Sequence, residues 1–228
     1  MEHIGVERRG DVALVRIDRP PANALDAALL AEGHEVVGAL RDDAPRAVVV
    51  TGRDGFFSAG VDLKLAPTLD ATAQREMVAG INRLFASWYT LPLPVVAAVN
   101  GHAIAGGLIL ALCADHRVGT HQGRYGLTEL AVGIPYPVVA LAVVRAELTA
   151  AAARRLALGA ELFGPQEALE LGCLDELVDD PLERALEVAE RMAQLPPDAY
   201  AAAKASLRPG LPDPDADPLL AGWIPDEV

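Results

Sequence analysis

The chain has 228 residues, a formal net charge of −13 from 19 basic and 32 acidic side chains, and a 52 % hydrophobic content, with alanine at 42 positions. That hydrophobicity excludes intrinsic disorder, the acidic balance excludes a general nucleic-acid binder, and the longest apolar run, 12 residues at 103–114, falls short of the ~18 needed to span a bilayer. Two cysteines, Cys113 and Cys173, make no disulfide framework, and no secretory signal is visible, so a cytoplasmic protein with both thiols reduced and buried is expected.

Residues 5–9 and 12–18 flank the Gly10-Asp11 turn and read as a hairpin, with Ala13, Val15 and Ile17 alternating against Leu14, Arg16 and Asp18. Asp26 is placed to cap a helix carrying Leu29, Leu30, Val36, Val37 and Leu40. Residues 47–51 form a β-branched strand that ends in a glycine-containing loop over 52–60. A polar, unpatterned stretch over 64–74 gives way to an amphipathic helix with Met77, Val78, Ile81, Leu84, Phe85 and Trp88 on one face. Pro92 and Pro94 end it, and residues 95–99 read as a buried strand broken by Asn100-Gly101. Ala105-Gly106-Gly107 precedes the apolar segment 108–112, and 115–119 reads as another strand.

Strands alternating with helices predict an α/β architecture with parallel pairing. The later third reads as helices over 137–146, 149–158, 165–171, 181–195 and 197–207. The tail over 211–228 holds four prolines, five acids and no base, and reads as poorly structured or docked without regular structure. The sequence divides into a core over 1–195 and a C-terminal helix with an acidic, proline-rich tail over 196–228.

Two strand-to-helix glycine turns stand out, Phe57-Ser58-Ala59-Gly60-Val61-Asp62-Leu63-Lys64 and Asn100-Gly101-His102-Ala103-Ile104-Ala105-Gly106-Gly107. Each alone reads first as a tight connection and only second as a place where free N–H groups meet developing negative charge. Together they resemble the two signature loops of the crotonase (enoyl-CoA hydratase/isomerase) superfamily. Asp18-Arg19-Pro20 with Asn23-Ala24-Leu25, Cys113-Ala114-Asp115-His116-Arg117, and Phe163-Gly164-Pro165-Gln166-Glu167-Ala168 with Leu171-Gly172 and Leu177-Val178 extend the resemblance over about residues 4–208.

The resemblance implies a crotonase-like ββα spiral (the ClpP/crotonase fold) with a helical C-terminal region, assembled as a homotrimer or dimer of trimers. It implies an acyl-CoA thioester as substrate, in which coenzyme A belongs to the substrate and no separate cofactor is needed. By similarity, the backbone amides of Val61 and Gly106 form an oxyanion hole for the thioester carbonyl, and Ala59, Gly60, Asp62 and Leu63 contribute to binding around the first loop. Lys64 and Arg19 are the candidate cations for the CoA phosphates, with solvated surface charge as the alternative for both.

The general base separates the reactions of such a site. Hydratases of the superfamily use two glutamates, and the place of one is occupied here by Ile109, which neither donates nor accepts a proton. The place of the other holds Glu129, which from the residues alone fits an ordinary exposed glutamate. One carboxylate suits a proton shuttle that moves a double bond. Asn100-Gly101-His102, Ile109, Arg124-Tyr125 and Glu129 followed by Gly133 also resemble Δ3,Δ2-enoyl-CoA isomerases. The expected activity is therefore 3-enoyl-CoA to 2-enoyl-CoA isomerisation, with a β-oxidation hydratase and a silent acyl-CoA-binding homologue as alternatives.

The remaining residues read as structural. His102 is expected to pack or bond to backbone, Asp62 to cap the helix after the first loop, Asp115 to support a strand start and Cys113 to be inert. Met77, Phe85 and Trp88 read as core with access to an acyl tunnel. No His, Cys or acid cluster has metal-ligand spacing. Two departures from the family pattern stand out. The helical pattern stops near Arg208, which predicts the loss of some subunit or CoA contacts. Gly133-Ile134-Pro135-Tyr136-Pro137 replaces a glycine-rich run, placing Tyr136 to reshape the acyl pocket.

Overall fold

The computed structural model describes residues 1–53, 55–62 and 68–223. The hairpin forms as expected, β1 (Ile4–Arg9) pairing antiparallel with β2 (Val12–Ile17). Strands β3 (Ala47–Thr51), β5 (Val95–Val99), β7 (His116–Thr120) and β9 (Glu176–Val178) then add in parallel, giving the order β1-β2-β3-β5-β7-β9. Because side chains alternate along a strand, β3 sends Val48 and Val50 into one core and Ala47 and Val49 into another. Helices α1 (Ala27–Asp43) and α2 (Ala71–Tyr89) belong to the first, larger core. Helix α7 (Pro181–Ala193) covers the second with Ala185, Val188, Ala189 and Ala193. Burial on both faces is why these strands read as continuous apolar runs.

Asp26 caps α1 as predicted, its Oδ1 accepting from the Leu29 N–H at 2.9 Å. The six apolar residues expected on one face of α2 are all buried.

A second sheet departs from the sequence reading. Strands β4 (Phe56–Ser58), β6 (His102–Ile104) and β8 (Tyr125–Gly126) lie inside segments expected to be loops, and they pair in parallel in the order β4-β6-β8. Two or three residues per strand are too few to show a period. Each follows a strand of the large sheet and precedes helical structure. The chain repeats as β3-β4-α2, then β5-β6 with α3 (Gly106–Leu112), then β7-β8 with a 3-10 turn at Glu129–Val132 and α4 (Val138–Glu147). This is the ββα spiral expected from the resemblance.

The later helices also form, as α5 (Ala150–Gly159), α6 (Pro165–Glu170), α7 and α8 (Pro197–Leu207), and Leu177 and Val178 prove to be strand β9. Asp115 anchors α8, accepting from Lys204 Nζ at 2.7 Å and pairing with Arg208 at 2.9 Å, while also accepting from the Val95 N–H. The acidic tail is docked over its described residues, up to Trp223, and it contains regular turns. Two 3-10 turns, Pro214–Ala216 and Pro218–Ala221, follow Asp213 and Asp217, whose carboxylates accept from the Asp215 and Leu219 N–H groups. An aspartate cap followed by proline at the first helical position is a turn-starting pair, so the prolines begin these turns instead of preventing them.

Candidate active site

The carboxyl ends of β4, β6 and β8 deliver three turns to one place, the edge where parallel sheets generally present ligand sites. The turn after β4 holds Ala59, Gly60 and Val61. It is fastened to the N-terminal loop through Ala59 N–H to Ala22 O (3.0 Å), Leu25 N–H to Gly60 O (2.7 Å) and Asp62 N–H to Leu25 O (3.0 Å). Buried Asn23 adds to the same support, its Nδ2 donating to the carbonyls of Phe56 and Phe57 at 3.0 and 3.2 Å. The Gly60 N–H donates to Ser58 Oγ at 3.2 Å. The neighbours of Val61 thus have acceptors, whereas the Val61 N–H has none among the described residues.

The turn after β6 is built the same way. Ala105 donates its N–H to Gly126 O at 2.8 Å and holds an unusual φ of 52°. Only surrounding structure keeps a non-glycine residue there. The turn makes Gly106 the first residue of α3, so its N–H lacks an intrahelical acceptor, and it finds no other among the described residues. The two turns touch. Gly60 sits at φ +77°, and a Cβ on it would lie 2.8 Å from Ile104 O and 2.9 Å from Gly106 N. A Cβ on Gly107 would lie 2.2 Å from Ser58 O, a separation real side chains do not reach.

The third turn brings Glu129. Its residue, Val61, Gly106, Ala59 and Ile109 all line one cavity of about 120 Å³. The other walls are largely apolar, with Ile81 and Phe85 from α2 and Ile134 from the loop after Glu129. Among the described lining residues Glu129 is the one titratable side chain. Its Oε2 is buried without a hydrogen-bond partner among the described residues. Burial pushes its carboxyl up to about 7, and the backbone N–H groups of residues 129 and 128 and the nearby Tyr136 hydroxyl draw it only part of the way back.

Other expected site residues lie elsewhere. Tyr136 does not line this cavity; it packs on the core behind Glu129, and its hydroxyl donates to Ala157 O at 3.1 Å. Arg19 is held inside the protein, 2.8 Å from Asp26 and 3.3 Å from Asp62, so its charge is matched by two carboxylates. Leu63, Lys64 and the segment that Asp62 was expected to cap lie outside the described residues. His102 stacks on Phe56 with ring centroids 4.7 Å apart, a packing role. Cys113 is buried, and desolvation raises its thiol to about 12, which leaves it inert.

Trp223 is a site residue that the sequence reading missed. This tail residue is 2 % exposed and lines the cavity, with Nε1 donating to Pro135 O at 3.1 Å. The one signal for it was an indole in an acidic, proline-rich segment.

Comparison with known proteins finds the family described as enoyl-CoA hydratase/isomerase matching residues 7–218. A Mycobacterium avium (strain 104) protein named "Probable enoyl-CoA hydratase" is 35 % identical over 219 residues, covering 94 % of this chain and 85 % of the relative. The 2,3-dehydroadipyl-CoA hydratase of Escherichia coli K12 is 33 % identical, covering 91 % of this chain and 82 % of that protein. A solved structure of an enoyl-CoA isomerase from Mycobacterium tuberculosis superposes with a TM-score of 0.85 at 32 % identity, covering 91 % of this chain and 92 % of the other.

Proposed function

Because the chain belongs to the enoyl-CoA hydratase/isomerase family, we propose that it isomerises a 3-enoyl-CoA thioester to the 2-enoyl-CoA thioester, with Glu129 as the proton shuttle. The observation that carries this reading is the single titratable side chain among the described lining residues, with Ile109 where a hydratase would need a second glutamate.

The Glu129 carboxylate takes a proton from C2 of the substrate. The electron pair spreads over C2 to C4 and the thioester oxygen, giving a dienolate. The Val61 and Gly106 N–H groups donate to that oxygen. One such preorganised donor contributes roughly 3–4 kcal/mol to the transition state. The carboxylic acid formed on Glu129 returns the proton to C4, which leaves the double bond between C2 and C3 and restores the carboxylate. A carboxyl near 7 suits both halves of this cycle: it is a stronger base than an ordinary glutamate and still gives its proton back near neutral pH.

A hydratase is the second reading, favoured by the names of the relatives and by Thr128, a hydroxyl-bearing residue that lines the cavity next to Glu129 in sequence. The test supplies purified protein with 3-enoyl-CoA, and separately with 2-enoyl-CoA in water, and follows products by chromatography. Migration of the double bond is expected. Formation of 3-hydroxyacyl-CoA from the second substrate selects the hydratase, and binding without either product leaves an acyl-CoA-binding protein. The resemblance also carries a trimer-based assembly into this proposal; a light-scattering mass of one subunit would contradict it.

A further inference from the structure

The tail that carries Trp223 is fixed with more care than a solvated acidic segment requires. Asp217 is 3 % exposed. Its Oδ2 accepts from Asn82 Nδ2 at 2.8 Å and from the Val138 N–H at 2.9 Å, and its Oδ1 accepts from the Leu219 N–H at 2.9 Å. A carboxylate is costly to bury unless several donors satisfy it, and here three N–H groups from α2, α4 and the tail itself do so. Arg75 on α2 donates to Leu220 O at 3.0 Å, and the Trp223 N–H donates to Gln74 Oε1 at 3.4 Å. These contacts run along the tail and end where the indole meets the cavity.

Trp223 therefore joins two walls, its backbone N–H bonding to α2 and its indole to the Pro135 segment after Glu129. The space it leaves is about 120 Å³. An engineered cavity of roughly 150 Å³ holds one benzene, six carbons.

We propose that this tail is a strap, clasped by Asp217 and ended by Trp223, that limits the site to short acyl chains of roughly six carbons or fewer. The inference rests on the reading of the cavity as an acyl-CoA site, and it names the substrate class of that site. It does not depend on which reaction follows.

The test measures binding of butyryl-, hexanoyl-, octanoyl- and decanoyl-CoA by calorimetry to the full chain, to Trp223→Ala and to Asp217→Asn. These saturated thioesters have no double bond to move, so chain-length selection is read without turnover. Wild-type affinity should fall at least ~10-fold from hexanoyl to octanoyl, the scale at which a packed apolar pocket discriminates added methylenes. Trp223→Ala should remove that fall. Asp217→Asn keeps the indole but loses one of the two carboxylate acceptors, and should weaken the fall by releasing the clasp; it carries the test if the alanine variant does not fold. Equal wild-type affinity for all four esters, or the wild-type length profile in the variants, overturns the strap. Binding of none of the esters by wild type overturns the acyl-CoA reading and the strap together. The predicted length profile without turnover of either enoyl substrate removes the chemistry and leaves the strap standing.

Discussion

The two sheets of this protein draw strands from the same ββα units and differ in how closely their backbones approach neighbouring backbone. The large sheet buries branched side chains on both faces of β3 and β5, with Val48, Val49, Val95 and Val96 at most 1 % exposed. The small sheet is two or three residues deep; it too buries side chains, with Phe57 and Tyr125 fully enclosed, and it adds close backbone approaches, such as Gly107 against the Ser58 carbonyl. Side-chain packing supplies a rigid frame, because apolar burial is worth ~1.5–3 kcal/mol per large side chain. Backbone packing brings amides and one carboxylate to a point, which is what a reaction through an oxyanion needs. The comparison teaches that stability and chemistry are assigned to different layers of the same fold, and substitutions can test that division.

The largest effect is expected at the end of the small sheet. Glu129→Gln removes the proposed proton shuttle while keeping the size of the side chain. Turnover should fall roughly 10²–10⁴-fold, with acyl-CoA affinity nearly unchanged. Steady-state kinetics with 3-enoyl-CoA and calorimetry with a saturated ester measure the two quantities. Full activity in the variant would remove Glu129 from the mechanism.

The mirror-image substitution lies in the large sheet. Leu14 on β2 is 1 % exposed and packs in the core that α7 covers. Leu14→Ala should cost ~2–5 kcal/mol of stability through lost burial and a residual cavity. The activity per folded molecule at low temperature should stay near wild type. Urea unfolding and active-site-normalised rates check both halves. A kcat loss comparable with that of Glu129→Gln would show that the frame and the site are not separable.

The layers also differ in how far the sequence reveals them. The runs at 47–51 and 95–99, the Asp26 cap and the apolar face of α2 were all legible, because an unbroken apolar run, a capping side chain and a helical period each record their own local surroundings. Strands β4, β6 and β8 were not, since they are too short for a pattern and pair only after the large sheet has brought them together. The functions proposed for Val61 and Gly106 belong to their backbone, so their side chains announce nothing, and the resemblance supplied what residue chemistry alone could not. The same holds for Glu129, which resembles any surface glutamate until the fold encloses it. The tail shows the reverse case: Asp213-Pro214 and Asp217-Pro218 are readable turn starters, and composition alone hid them.

A third experiment asks whether the site costs the frame stability. The folded carboxyl of Glu129 lies at about 7, above its ordinary value of 4.5. Between these values the folded protein holds more proton than the unfolded chain, so stability falls as pH rises through this window and stays at the lower level above it. Glu129→Gln cannot ionise. It should be more stable than wild type at pH 8, by on the order of 3 kcal/mol, and close to wild type at pH 4. Thermal unfolding at the two values measures this, with a shift of roughly 2–4 °C per kcal/mol for a chain of this length. In wild type, kcat/KM should fall tenfold per unit below about 7, because the base is then protonated. Identical melting temperatures of variant and wild type at pH 8 would mean that Glu129 is not held against its solvation.

The smallest effect belongs to the exposed edge of the large sheet. Arg8 on β1 reaches Asp43 at 2.8 Å, with side-chain exposures of 40 % and 72 %. An exposed pair of this kind contributes ~0.2–1 kcal/mol. Asp43 is also the last residue of α1, where the negative end of the helix dipole disfavours a carboxylate by ~0.3–1 kcal/mol. The two effects oppose each other and are both screened by salt. Asp43→Asn should therefore shift stability by less than ~0.5 kcal/mol, with no change in kcat, in urea titrations at low and high ionic strength. A loss above ~1.5 kcal/mol would exceed what an exposed pair supplies and would move part of the frame's stability from its buried strands to its edge.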